Sequence, residues 1–212
     1  MRIWLIRHGR TPLNEEGRYQ GKLDTGLSEE GQRALRRAEV SPSRVYVSPA
    51  LRARQTAGIL FPDADQVVAE DLREMDFGAF DGRGWWEMKN DADYRSWVDG
   101  GCLGQCPGGE DRASCSARVC AAFARILDEN LRDCRTDDLF IVAHGGTQMA
   151  VLEEWGRPAR DYYAWQTPCG FGWCLETARE PEVTGAWKKE GLRAAKQCSF
   201  LREDDVPADL EM

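Results

Sequence analysis

The chain has 212 residues, 42% of them hydrophobic, which is enough for one well-filled core and argues for a single domain over 1–212. Its formal charge of −8 leaves no basic field for nucleic acid, and a phosphate-bearing ligand would need cations supplied locally. No apolar run approaches the length of a membrane span, and residues 3–6 are too short for a secretory leader, so the expected compartment is the cytoplasm, with no membrane partner.

Residues 3–6 form an apolar run that suits a buried strand and ends at Arg7, His8 and Gly9. This places an imidazole beside a fixed positive charge, with a glycine that lets backbone approach a ligand. A lone histidine at a strand end is ordinarily just a polar residue at the start of a loop. Residues 10–24 carry Pro12, Asn14, Gly17 and Gly21 without periodicity and read as a loop over the site. Ser28 is a natural N-cap for a helix expected to run to Glu39, before Pro42 forces a break. Residues 44–48 read as the second strand, and Pro49 begins a turn into a helix carrying Arg52 and Arg54. Residues 66–69 suggest another strand. Glu74, Asp76 and Asp81 follow as candidate acids.

Residues 84–110 read as an inserted helical lid with aromatic faces from Trp85, Trp86, Tyr94 and Trp97, followed by a glycine-rich loop. A long helix is expected over 112–130, with Val119, Phe123, Ile126 and Leu127 turned to the core. Residues 139–143 form a second strongly apolar strand, and it too runs into His-Gly, here His144, Gly145 and Gly146. His8 and His144 are the only two histidines, and both leave strands in the same way. In open parallel sheets, ligands bind beyond the carboxyl ends of the strands, so the two imidazoles can meet over one site. A short helix over 147–155 would present the Gly145 and Gly146 N–H groups to an anion. Residues 172–177 are expected to be the last strand, and 180–212 a peripheral extension. Trp155 and Trp165 suit either core or a homodimer interface.

Of the eight cysteines, Cys102, Cys106, Cys115 and Cys120 lack paired C-x-x-C spacing and have no nearby histidine, so free thiols and no metal are expected.

Arg7-His8-Gly9 matches the motif for which the histidine phosphatase superfamily is named. The sequence resembles its phosphoglycerate-mutase-like branch from about Arg2 to Thr177. The resemblance implies an α/β three-layer sandwich with a mostly parallel central sheet flanked by helices, and no cofactor. It implies His8 as the nucleophile, Arg7 and Arg52 as phosphate holders, His144 as a second imidazole and Glu74 as proton donor. Spacing alone does not choose between Arg52 and Arg54, or between Glu74, Asp76 and Asp81. The resemblance further implies Asn14 as a phosphate ligand, with Thr11, Gln20, Gly21 and Gly145 near substrate. Arg10 departs from the pattern, because Glu or Gln is commoner there.

Within the family, Leu72 to Gly82 together with Tyr94, Trp97 and the Pro107-Gly108-Gly109-Glu110 turn looks most like the α-ribazole phosphatases of cobalamin synthesis. The implied activity is metal-independent hydrolysis of a small phosphorylated metabolite through phosphohistidine, with α-ribazole 5′-phosphate as one candidate. A phosphomutase is the runner-up, and a non-catalytic phospho-ligand binder is a third alternative. In this reading His8 is neutral and His144 is a charged donor.

Overall fold

A computed structural model describes residues 1–132, 138–177, 192–202 and 205–206. Among the described residues, six strands form one sheet in the order β3-β2-β4-β1-β5-β6. They are β1 (Arg2–Arg7), β2 (Arg44–Val47), β3 (Asp65–Val68), β4 (Leu139–Ala143), β5 (Phe171–Thr177) and β6 (Leu192–Ser199). Strands β3, β2, β4 and β1 pair in parallel, while β5 is antiparallel to both β1 and β6. The helices are α1 (Pro12–Glu15), α2 (Glu29–Ala34), α3 (Leu51–Leu60), α4 (Trp85–Met88), α5 (Ala92–Asp99), α6 (Arg112–Arg132) and α7 (Gly145–Trp155).

Period-two alternation along the strands produces the two buried faces. From β4, Leu139, Ile141 and Ala143 join Ile3 and Leu5 of β1 in a core completed by α6, α7 and the lid. Phe140 and Val142 turn the other way, to join Ile6, Val45, Val47 and the α3 residues Ala53, Ala57 and Leu60. Helices on both faces of a largely parallel sheet make the expected three-layer sandwich. Trp155 and Trp165 are buried within the first core.

The α2 helix is much shorter than expected. Leu35 is extended and bridges Leu201, Arg36 N–H donates to the Phe200 carbonyl, and Arg202 N–H donates to the Ala34 carbonyl. Chain returning from residues 200–202 therefore takes the backbone groups that another helical turn would have used. This return also revises the expected extension: its described part supplies strand β6 and the buried Phe200 and Leu201. The lid is two helices, α4 and α5, because the Asp91 side chain caps α5 and breaks the run. Among the described residues, no helix is long and apolar enough to cross a membrane.

Candidate active site

Sheet register aligns three side chains along one edge. Arg7 pairs with Ala143, and His8 N–H donates to the Ala143 carbonyl at 3.0 Å, so His8 leaves β1 beside His144 leaving β4. Val47 pairs with Val142, and Ser48 N–H donates to the Val142 carbonyl, which sets Ser48 at the end of β2 on the other side of His144. The imidazole centroids of His8 and His144 are 5.2 Å apart, with the rings crossing at 68°.

His8 is 4% exposed, and its Nδ1 lies 2.7 Å from the Gly9 carbonyl oxygen. A carbonyl only accepts, so Nδ1 carries the proton and Nε2 the free lone pair. Burial holds His8 well below the usual imidazole pKa, and the charges of Arg52 and Arg7 add to the effect. Gly9 does not open a path for ligand: a Cβ there would press on Leu35 and Leu27, and its carbonyl serves to orient His8.

His144 is fully buried, and its Nε2 lies 2.7 Å from the Ser48 hydroxyl oxygen. Its Nδ1 has no partner among the described residues. Burial, followed by Arg52, His8 and Arg7, also pushes this imidazole well below its ordinary pKa. The expectation of a charged His144 is therefore corrected for the free site, where burial beside Arg52 and Arg7 favours the neutral form of both rings.

The cations come from Arg7 and Arg52. Arg7 Nη1 donates to the Thr167 carbonyl at 2.5 Å, while its Nε is buried without a partner among the described residues. Arg52 is fully buried, whereas Arg54 is exposed. Arg52 Nη1 and Nη2 each donate over 3.0 Å, to the carbonyls of Leu23 and Gly21, and Nε has no partner among the described residues. Desolvation lowers the Arg52 pKa, although the charges of Glu74, Asp24 and Asp81 oppose the shift. The positive charge of Arg52 helps to lower the pKa of both imidazoles, and its side chain lies outside the lining of the cavity that His8 and Glu74 border.

The four remaining expected contacts in residues 10–24 divide into one ligand-facing group and three supports. Asn14 lines the cavity, and its amide oxygen accepts from Thr11 N–H and from the Cys169 thiol, which leaves the NH₂ group for an anion. Thr11 is fully buried; its hydroxyl donates to Gln20 Oε1 at 2.7 Å and accepts from Asn14 N–H, so it caps α1 and does not meet ligand. Gln20 borders the cavity, but its amide is committed to Thr11 and to Thr25. Gly21 is needed for close approach: a Cβ there would lie 2.3 Å from the Met75 carbonyl oxygen. Its own carbonyl holds Arg52.

Glu74 lines the cavity and accepts from Gly146 N–H at 3.2 Å, at the start of α7. Gly145 also lines the cavity as the first residue of α7, so the helix N-terminus faces the site. Asp76 instead caps Gly78 N–H and pairs with Lys22. Asp81 holds the N–H groups of Gly21 and Leu23. Neither competing acid lines the cavity.

The cavity is about 420 Å³. Above the polar floor its walls are Tyr19, Phe77, Trp97, Met149 and Tyr162, with Arg112 lying 4.8 Å above the Tyr162 ring. Sequence reasoning missed Ser48, Tyr162 and Arg112. Ser48 was visible as the residue ending β2, but its role depends on the β2–β4 register, which spacing does not give. Among the described residues, no group of three metal-ligating side chains is assembled, and the seven described cysteines are free thiols; Cys134 lies outside them.

A neutral imidazole pair set between two guanidinium groups is an arrangement for handling an anion at a strand edge. The chain belongs to the histidine phosphatase superfamily (branch 1), whose family model matches residues 3–171. This is a superfamily of phosphatases and phosphomutases. The chain is 32% identical to the adenosylcobalamin/α-ribazole phosphatase of Salmonella typhimurium over 72% of its own length and 78% of that protein. It is 28% identical to the sedoheptulose 1,7-bisphosphatase of Saccharomyces cerevisiae, across 68% of this chain and 63% of that one. The crystal structure of a phosphoglycerate mutase from Thermus thermophilus superposes with a TM-score of 0.61 at 29% identity, covering 89% of this chain and 100% of that chain.

Proposed function

We propose that the protein hydrolyses a small organic phosphomonoester through a phosphohistidine on His8. The observation that carries this reading is the state of His8: neutral, with Nδ1–H spent on Gly9 and Nε2 left with its lone pair at a cavity lined by Arg7 and Glu74.

His8 Nε2 attacks phosphorus as the P–O bond to the leaving alcohol breaks, and Glu74, protonated, gives its proton to the departing oxygen. Charge spreads over the three equatorial oxygens, where Arg7, the Asn14 NH₂ group and the Gly145 N–H at the start of α7 hold it, the Gly146 N–H being engaged by Glu74. His144 Nδ1 has no protein partner, so a proton there has an anion as its natural acceptor. A phosphate dianion also raises the His144 pKa and opposes the lowering seen in the free site. In the second step Glu74, now ionised, takes a proton from water. The resulting oxygen attacks phosphorus, and the P–N bond breaks to release phosphate and neutral His8. All the charge neutralisation in this scheme is supplied by protein groups.

The aromatic upper walls suit a leaving alcohol that carries a ring or other apolar surface. The likeness to an α-ribazole phosphatase supports α-ribazole 5′-phosphate as one such ester.

The test is phosphate release in the presence of chelator from p-nitrophenyl phosphate, α-ribazole 5′-phosphate and 3-phosphoglycerate, by wild type and His8→Ala. Release that resists chelator and vanishes in the variant is expected. Isomerisation of 3-phosphoglycerate with little release would make the protein a phosphomutase. Binding without turnover of any ester would make it a phospho-ligand binder.

A further inference from the structure

Arg10, the residue that departs from the superfamily's usual pattern, is not used by the mechanism. It borders a second recess of about 360 Å³, whose wall also includes Arg7, Asn14, Arg18, Cys169 and Asp205. Arg7, Asn14 and Arg18 line the catalytic cavity as well, so the two spaces share a wall.

The charges around this recess are unequal in what they have left to offer. Arg18 is spent, because it pairs with Glu16 at 2.6 Å and Glu87 at 2.5 Å. Arg7 has no carboxylate partner among the described residues, and its Nε is unpaired. The Arg10 backbone is fixed, since its carbonyl accepts from Ser28 N–H at 3.0 Å at the start of α2. Its guanidinium has no hydrogen bond or ion pair among the described residues. Against Arg7 and Arg10 the recess sets one carboxylate, Asp205. A chain with net charge −8 thus keeps in one small concavity two guanidinium groups that lack a carboxylate partner among the described residues, although Arg7 Nη1 donates to the Thr167 carbonyl. Planar guanidinium forks match the oxygens of phosphate better than any other side chain does.

We propose that this recess is a second oxyanion subsite, which takes a phosphate group in addition to the one transferred at His8. The proposal rests on the phosphomonoesterase reading. The group comes either from a bisphosphorylated substrate or from free inorganic phosphate.

Two kinetic arms with chelator present separate the sources. In the first, wild type, Arg10→Gln and Arg112→Gln are compared on fructose 1,6-bisphosphate and fructose 6-phosphate, with p-nitrophenyl phosphate as the reference ester. If the substrate supplies the group, Arg10→Gln raises KM for the bisphosphate about tenfold, as loss of one charge-assisted fork implies, and leaves both single-phosphate esters unchanged. In the second arm, inorganic phosphate inhibits p-nitrophenyl phosphate hydrolysis. If free phosphate is the ligand, wild-type inhibition has a non-competitive component that Arg10→Gln removes.

An Arg10→Gln enzyme identical to wild type in both arms overturns the proposal. So does a preference for the bisphosphate that Arg112→Gln abolishes and Arg10→Gln keeps. Failure of wild type to hydrolyse any of the three esters would count against the phosphomonoesterase reading alone. The subsite is then read by calorimetric titration of His8→Ala with fructose 1,6-bisphosphate, where adding Arg10→Gln must weaken binding about tenfold if the recess takes phosphate.

Discussion

The Ser48 hydroxyl oxygen and His144 Nε2 meet at 2.7 Å, where β2 and β4 end side by side. The same oxygen lies 3.3 Å from the Ala50 N–H and accepts from it, so the hydroxyl proton is free to point at Nε2. That arrangement accommodates the His144 tautomer with its proton on Nδ1, the nitrogen without a partner among the described residues. Ser48→Ala removes this contact and leaves the buried Nε2 without its partner. We expect kcat to fall roughly 10- to 100-fold, corresponding to about 1.5–3 kcal/mol for a hydrogen bond to a group that becomes charged. An unchanged unfolding midpoint together with that loss would assign Ser48 to positioning; unchanged kcat would remove it from the site.

The sequence makes the two imidazoles legible because each follows an uninterrupted apolar strand, and parallel pairing of those strands brings their ends together. Arg52 and Glu74 are legible only through the family pattern. Nothing local separates Arg52 from Arg54, and what distinguishes Glu74 from Asp76 and Asp81 is the Gly146 N–H, 72 residues away. Thr11 reads as a ligand contact but is a cap, since the same short polar side chain serves either purpose and tertiary packing buries this one. The α2 boundary and β6 escape detection for a shared reason. Both are set by chain from residues 200–202 returning to Ala34 and Leu35, a contact across the whole sequence that periodicity does not register.

Gly146 sits where a side chain would strike the acid. A Cβ there would come within 2.2 Å of Glu74 Oε1. Because that atom is the tip of a flexible side chain, the fold can yield by moving the carboxylate. Gly146→Ala should therefore keep its thermal midpoint within a few degrees while kcat drops about 100-fold, the scale of general acid catalysis lost when the donor is displaced. A leaving group of low pKa needs less protonation, so the deficit should shrink with p-nitrophenyl phosphate relative to an alkyl phosphate. An equal deficit on both esters would argue that Glu74 is not the donor.

Both imidazoles are held below their ordinary pKa by burial. In the unfolded chain they titrate near about pH 6.5. Below that value the unfolded state binds more protons than the folded one, so stability rises with pH there. The contribution is complete above about pH 6.5 and is lost as the pH falls toward the depressed folded values. Denaturant unfolding between pH 7.5 and 5.5 should show a steeper loss for wild type than for His144→Asn. The difference in slope should approach one proton, about 1.4 kcal/mol per pH unit. Equal slopes would mean that His144 is not buried in its neutral form.

The lid holds aromatic residues of two kinds. Trp97 is buried, donates from Nε1 to the Gly104 carbonyl at 3.0 Å, and packs against the rings of Tyr19, Phe77, Phe80 and Tyr94. Trp85 is 60% exposed. Trp97→Ala opens a void beneath the cavity wall and should cost about 3–5 kcal/mol, whereas Trp85→Ala should stay within about 0.5 kcal/mol. Trp97 and Phe77 also line the catalytic cavity, so the damage should reach substrate binding before it reaches the chemistry. A Trp97→Phe variant, which keeps a ring and loses the indole N–H, is expected to fold with near-wild-type kcat and a raised KM. If Trp97→Phe instead lowered kcat and left KM alone, the lid would be acting on His8 or Glu74 and not on the leaving alcohol.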